Sequence, residues 1–331
     1  MKNNSYILIE SILRQFIVRI KNDPERSIRN SIDMVLSFAN GRFQKKFFGR
    51  IQKVLENEQS IYYPLVWDTI MNVDEEKLIT VGMNIGYNSC TVGAETIRNI
   101  EEKQHFNIPW SITLKLNEKT YRSKKEAYRS LIEQGKALGI FTWFLHIEGN
   151  IDFAESIISG NEDCAFVIFC EPDFITDSAI SIFSKLNNTV LCVKYKKRTA
   201  EICEKLRQNR MLYSVYTEYN DDNITDILND MLLKRVEYLH PVFTVLVPEE
   251  GCSEMVRNIV YKYVQDIRTK QQYQTILWEY KSDGLNIDKV ISEDSCYAEI
   301  NENGFINGRT GKDTNCFEAK LKAVFKNCLP K

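Results

Sequence analysis

Six short apolar runs, each followed by an amphipathic segment, occupy the middle of the chain, and this alternation restricts the fold more than any other feature. The runs are Ser111 to Leu116, Phe141 to Ile147, Cys164 to Cys170, Thr189 to Tyr195, Leu212 to Thr217 and Val242 to Val247. Helical patterns lie between them, over Ser123 to Leu138, Phe153 to Ile158, Ile175 to Leu186, Thr199 to Asn209 and Asn223 to Leu233, and a long helix follows from Ser253 to about Lys270. Near-continuous apolar strands separated by helices form a parallel sheet, because a parallel connection needs a crossover that covers a sheet face. Six β/α units in order therefore predict an α/β protein, either an incomplete TIM-like (β/α)6 barrel or an open doubly wound sheet.

The flanks read differently. Residues 1 to about 72 carry helical stripes, Ile28, Ile32 and Val35 on one and Phe43, Phe47, Ile51 and Leu55 on another, with breaks at Asp23-Pro24 and Asn40-Gly41. Ile9, Leu13, Phe16 and Ile20 share a face of the first helix, which suits packing against the protein or against a membrane surface. After Lys270 come two short β-rich runs, Gln274 to Tyr280 and Tyr297 to Ile300. An Asn303-Gly304 turn with the signature of a type I′ hairpin follows, and then a helix from Cys316 to Phe325.

Composition narrows the function classes. With 43 Lys+Arg against 45 Asp+Glu, the net charge of -2 provides no field to gather nucleic acid or anionic lipid. The apolar runs are too short and too interrupted for a membrane span, and no secretory leader is legible at the N-terminus, so a cytoplasmic location is expected. Nine cysteines, an odd number set within apolar runs, fit reduced thiols rather than a disulfide framework. Three scattered histidines, His105, His146 and His240, match no zinc spacing and no Ser/His/Asp arrangement.

Several stretches together give the chain a family likeness. Ile108-Pro109-Trp110 leads into the first strand, a helix ends Gln134-Gly135-Lys136-Ala137-Leu138-Gly139-Ile140, and the second strand reads Phe144-Leu145-His146-Ile147-Glu148-Gly149. Ile175-Thr176-Asp177, Leu186-Asn187-Asn188-Thr189-Val190, Asp283-Gly284 and Glu299-Ile300-Asn301-Glu302-Asn303-Gly304 continue the pattern. In order and spacing these segments resemble radical-SAM enzymes from about residue 86 onward. The resemblance implies a partial (β/α)6 barrel of radical-SAM type over 86–272, behind a helical N-terminal unit (1–85) and before a C-terminal hairpin and helix extension (273–331).

The resemblance also implies a [4Fe-4S] cluster and S-adenosylmethionine, the cluster held by C-x3-C-x2-C after the first strand. Three thiolates are required there. In this chain the segment reads Asn117-Glu118-Lys119-Thr120-Tyr121-Arg122-Ser123-Lys124-Lys125, without cysteine. The family's Gly-Gly-Glu-Pro end of the second strand is Glu148-Gly149-Asn150-Ile151. The third strand ends Cys170-Glu171-Pro172 and the fourth Lys194-Tyr195-Lys196. Cysteines of one subgroup's extension fall on Val290 and Arg309. Cys164 and Cys170 lie about 20 Å apart along one strand at ~3.3 Å per residue, too far to share a cluster. No cofactor, metal ligand or catalytic residue is assigned on this basis. The expected function is that of a radical-SAM-like pseudoenzyme, a binding or partner subunit for an active family member or its peptide substrate. The alternatives are an enzyme using the strand ends for cluster-free chemistry, and an active radical-SAM enzyme with an unrecognised cluster site.

Function in such folds gathers where strands end. The candidate residues there are Glu148, Gly149, Arg122, Glu171, Lys194 and Lys196, within a rim of mixed sign that suits either solvation or the docking of a charged peptide or anion. His146 shares a strand face with Glu148 and reads as a satisfied core histidine or as a reactive one. Gly308-Arg309-Thr310-Gly311-Lys312-Asp313-Thr314 looks like a phosphate loop, but it lacks the first glycine and the hydroxyl after lysine.

Overall fold

The computed structural model describes residues 4–22, 24–38, 42–292, 294–306 and 314–331. Asp23, Asn40-Gly41 and most of the phosphate-loop look-alike, with Arg309, lie outside the described residues. Helices α1 (Asn4–Asn22), α2 (Pro24–Phe38), α3 (Arg42–Leu55), α4 (Tyr62–Asn72) and α5 (Glu75–Met83) lead through a π-helix, Asn84–Gly93, into α6 (Ala94–Gln104). Alternation follows: β1 (Ser111–Asn117), α7 (Glu118–Ser123), α8 (Lys125–Ala137), β2 (Thr142–Glu148), α9 (Glu155–Ile158), β3 (Ala165–Cys170), α10 (Asp177–Phe183), β4 (Thr189–Lys194), α11 (Thr199–Gln208) and β5 (Tyr213–Tyr219). The remainder is α12 (Ile224–Leu228), α13 (Met231–Val236), β6 (Phe243–Pro248), α14 (Glu254–Lys270), β7 (Ile276–Glu279), α15 (Tyr280–Ile291), β8 (Ala298–Ile300) and α16 (Leu321–Cys328).

The strand order is β7-β6-β5-β4-β3-β2-β1-β8, and the β1–β2, β1–β8, β2–β3, β5–β6 and β6–β7 pairs are all parallel. The sheet thus has eight strands where the apolar runs predict six. The two additions, β7 and β8, come from the segment expected to be an extension. They are four and three residues long, and they are held by main-chain pairing to β6 and β1 rather than by a long apolar run of their own.

Two further corrections concern local structure. The pattern over Asn223 to Leu233 is split into α12 and α13, because Asp230 turns left-handed at φ 60° between them. The Asn303-Gly304 turn is not type I′. Only Gly304 has positive φ (+92°), and Gly304 N–H donates to Asn301 O while Asn301 N–H donates to Phe305 O. This is a three-residue turn closed by a left-handed glycine. A Cβ there would stand 2.4 Å from the Phe317 ring, so glycine is required twice over.

The chain divides into two compact units, Met1–Ile79 with Cys192–Gly284, and Thr80–Leu191 with Leu285–Lys331. In the first, α4 is tied to α11 by a two-point ion pair in which Arg207 donates to both oxygens of Asp68 at 2.8 and 2.6 Å. The core of this unit gathers Tyr219, Leu233, Leu246, Val260, Val264 and Leu277, with the apolar stripe of α14 laid across β5, β6 and β7.

In the second unit, buried polar side chains secure the starts of the strands. The Asn188 amide donates to the carbonyls of Asn161 (3.0 Å) and Cys164 (3.1 Å). Asp288, fully buried, accepts from the main-chain N–H of Trp110 at 2.9 Å and of Cys296 at 2.6 Å, so one carboxyl joins the approaches to β1 and β8. Glu101, also buried, accepts from Ile108 N–H and the Ser292 hydroxyl. Each bond satisfies a donor that burial would otherwise leave unmet.

Burial pushes the Asp288 carboxyl up to about 7, although the two N–H donors oppose the shift. The native state therefore keeps a proton that the unfolded chain releases above about 4. The stability contributed by this group is greatest below that value, falls as pH rises toward 7, and then levels off. Across pH 4–7 the urea-unfolding slope should be more negative than that of Asp288→Asn by up to about 1.4 kcal/mol per pH unit, the difference isolating this carboxyl from groups that titrate in the opposite sense. Because one amide oxygen replaces two acceptors, the variant should also lose about 1–3 kcal/mol at the acid end.

Candidate functional site

Alternation along a strand sends successive side chains to opposite faces, and in the second unit the two faces of the sheet differ. Ile112, Leu114 and Leu116 of β1, Trp143, Leu145 and Ile147 of β2, and Phe166, Ile168 and Cys170 of β3 are all buried. On the other face Ser111, Lys115, Asn117, Phe144, His146 and Val167 are only partly buried and Glu148 is exposed, while Thr113 and Phe169 are covered. That face of aromatic and polar groups is open to solvent in part, and it is where a ligand can reach the sheet.

Register builds a polar cluster on it. Lys115 lies opposite His146 and Thr113 opposite Phe144, while β8 places Glu299 opposite Thr113 on the other side of β1. Lys115 Nζ is 2.8 Å from Glu299 Oε1. The Tyr297 hydroxyl lies 2.9 Å from Glu299 Oε2 and 3.3 Å from Thr113 Oγ1. Both carboxylate oxygens are therefore engaged, which offsets the cost of holding a charge that is mostly out of water. Burial pushes Glu299 up, but the Lys115 and Tyr297 bonds outweigh it and leave its carboxyl below the usual value.

His146 stacks on Phe169 with ring centroids 4.3 Å apart and planes 6° from parallel. Burial pulls its pKa down to about 4; Glu299 opposes the shift and Lys115 adds to it. The ring is neutral at pH 7. The cluster thus combines a fixed carboxylate, an ammonium, a phenol and a neutral imidazole, a set suited to recognising a polar ligand or to moving a proton.

The residues singled out from sequence lie around this cluster or apart from it. Glu148 stands opposite Asn117 at the end of β2, and Gly149 follows with φ +87° and open space where a Cβ would be. Arg122 is 72% exposed and is turned to Glu118 on its own helix. Glu171, half buried, follows β3. Lys194 and Lys196 belong to the first unit. There Lys194 pairs with Glu218 and lies 6.0 Å from the Tyr216 ring centre, while Lys196 N–H donates to Thr199. Sequence reading found His146 but missed Lys115, Tyr297 and Glu299; the alternation of β1 is the one signal that could have placed Lys115 on the same face.

The segment after β1 is helical rather than an open loop. Asn117 caps α7, its Oδ1 accepting from Thr120 N–H at 2.9 Å. Tyr121 turns inward to 4% exposure, 5.0 Å from the Phe153 ring and 5.6 Å from Tyr128, which meets Phe317 at 4.7 Å. Lys124 covers Phe317 from 5.1 Å. All nine cysteines are free thiols, and no group of three or more His, Cys, Asp or Glu among the described residues is placed to hold a metal ion. The residues of this segment do not fit an iron–sulfur cluster.

No protein-family model matches the chain, and no curated protein does. Solved structures do. SuiB of Streptococcus suis bound to S-adenosylmethionine superposes with a TM-score of 0.52 at 12% identity, over 69% of this chain and 66% of SuiB. SuiB bound to its precursor peptide SuiA gives 0.52 at 10% identity over the same shares. The chain spans just under two thirds of SuiB's length. At such identity the likeness is one of fold, and the fold is radical-SAM-like α/β.

A neutral, partly buried His146 has a measurable signature. Between about 6.5 and about 4 the unfolded chain takes up a proton that the native His146 refuses, so the stability tied to this group is complete above this window and falls as pH drops through it. The His146 C2 proton resonance should titrate near 4, and His146→Phe should remove the matching acid-side loss in urea unfolding. A titration midpoint at 6 or above contradicts this environment.

Proposed function

We propose that this protein is a radical-SAM-like pseudoenzyme that binds a peptide or protein partner on the open face of its sheet and does not cleave S-adenosylmethionine. The observation that carries the reading is α7. The segment in which the family holds its cluster has no cysteine here, is closed into a capped helix, and commits Tyr121 to an aromatic cluster. Inserting a cluster would require unfolding α7 and exposing that aromatic surface, and no thiolate would be gained by it.

Two further points support a peptide as the partner. SuiB, whose chain shares this fold over 66% of its length, has been crystallised bound to precursor peptide SuiA. The partly exposed Phe144 of β2 and Val167 of β3, on the same sheet face as Lys115 and Asn117 of β1, offer what a peptide needs, apolar contact together with hydrogen-bonding groups. A second reading, a cluster-free enzyme, rests on the Lys115, His146, Tyr297 and Glu299 set, whose members could share proton transfer.

Anaerobic reconstitution with iron and sulfide should leave the protein without stoichiometric cluster absorbance, and addition of S-adenosylmethionine with reductant should give no 5′-deoxyadenosine. Pull-down with the products of neighbouring genes should yield a stable complex. A stoichiometric cluster with 5′-deoxyadenosine formation overturns the proposal. Turnover of a small molecule that Glu299→Gln or Lys115→Met abolishes, without any stable complex, supports the enzyme reading instead.

A further inference from the structure

Resting on the peptide-binding reading, we infer that Lys115 is the anchor for a carboxylate of the bound peptide, with the apolar body of the same residue or its neighbour laid against Phe144 and Val167. The Lys115 side chain is 42% exposed while that of its partner Glu299 is 18% exposed. The pair is thus buried from its acidic end and open from its basic end. Tyr297 and Lys115 hold both oxygens of Glu299, so the carboxylate is fixed and in turn steadies the ammonium. A held ammonium that is 42% exposed meets a carboxylate at a smaller ordering cost than a freely moving surface lysine does.

The surroundings select the ligand's chemistry. His146, opposite Lys115 on β2, is neutral and adds no second positive charge. Glu299 and the exposed Glu148 stand on the same face. A dianion such as a phosphate monoester therefore meets repulsion that a single carboxylate meets only in part. Below this layer Phe144 and, one strand further, Val167 are register neighbours and partly exposed. A monoanionic carboxylate joined to an apolar or aromatic group matches both features. A peptide presents it at its C-terminus or on an Asp or Glu side chain.

The whole chain is titrated by NMR and calorimetry with N-acetyl-phenylalanine, with its amide, and with N-acetyl-phenylalanyl-glutamic acid α-amide, whose side-chain carboxyl is free. These probes offer a terminal carboxylate, none, and a side-chain carboxylate. At least one acid should bind about tenfold more tightly than the neutral amide, the loss expected for one charge-assisted contact, and should shift the His146 ring resonances. The acid that does so identifies the source. Lys115→Met should bring its affinity down to that of the amide, and Lys115→Arg should retain it within a few-fold. Equal binding of acid and amide, an unchanged affinity in Lys115→Met, or binding that leaves His146 unshifted overturns the inference. A partner peptide whose affinity ignores Lys115→Met defeats this inference alone. Acid selectivity without any peptide partner defeats the peptide reading and leaves the carboxylate site standing.

Discussion

The parallel pairing of β1 with β2 and β8 is the interaction on which the candidate site depends. Lys115 meets His146, and Thr113 meets Phe144 on one side and Glu299 on the other, only in the observed register. A slip of one residue would carry Lys115, Asn117 and Thr113 to the buried face and bring Ile112, Leu114 and Leu116 into water. Burying three aliphatic side chains at roughly 1.5–3 kcal/mol each fixes the register far more firmly than the polar contacts could. The site is a by-product of apolar packing on the opposite face, made useful by what stands on the open one.

The ends of the strands divide the work. At their starts, Asn188, Asp288 and Glu101 bind main-chain groups of the incoming segments, and their burial leaves no room for a ligand. At their far ends the side chains are longer, charged and exposed, as in Glu148 and Arg122. Between these levels lie Lys115, Glu299 and His146, deep enough to be held in place and shallow enough to be reached. This gradient from fixed to accessible is what a binding surface on a parallel sheet requires.

Much of the fold was legible because its signals are local. The six apolar runs mark β1 to β6 to within about two residues, since near-continuous Val, Ile, Leu and Phe admit few other readings. β7 and β8 were seen as β-rich runs but not as members of the sheet, because three or four residues say nothing about which strand they join. α7 is not legible in the sequence: its six residues have no apolar stripe, and the cap at Asn117 is visible only once β1 is known to end there. The cluster was the least legible part. Lys115 and Glu299 are separated by most of the second unit's chain, and a lysine within an apolar run looks like an interruption until the pairing shows what it faces. His146 and Glu148 were placed on one face correctly because that inference needs a single strand.

The account stands on one face of the sheet in the second unit being open to solvent and the other closed. Solution NMR with a soluble paramagnetic probe measures this directly. Side-chain resonances of Phe144, His146 and Val167 should broaden as the probe is added, while those of Trp143, Leu145 and Ile168 on the same strands stay sharp. Equal protection of both sets would mean that the face is covered and that no ligand reaches Lys115 from it, contradicting the account.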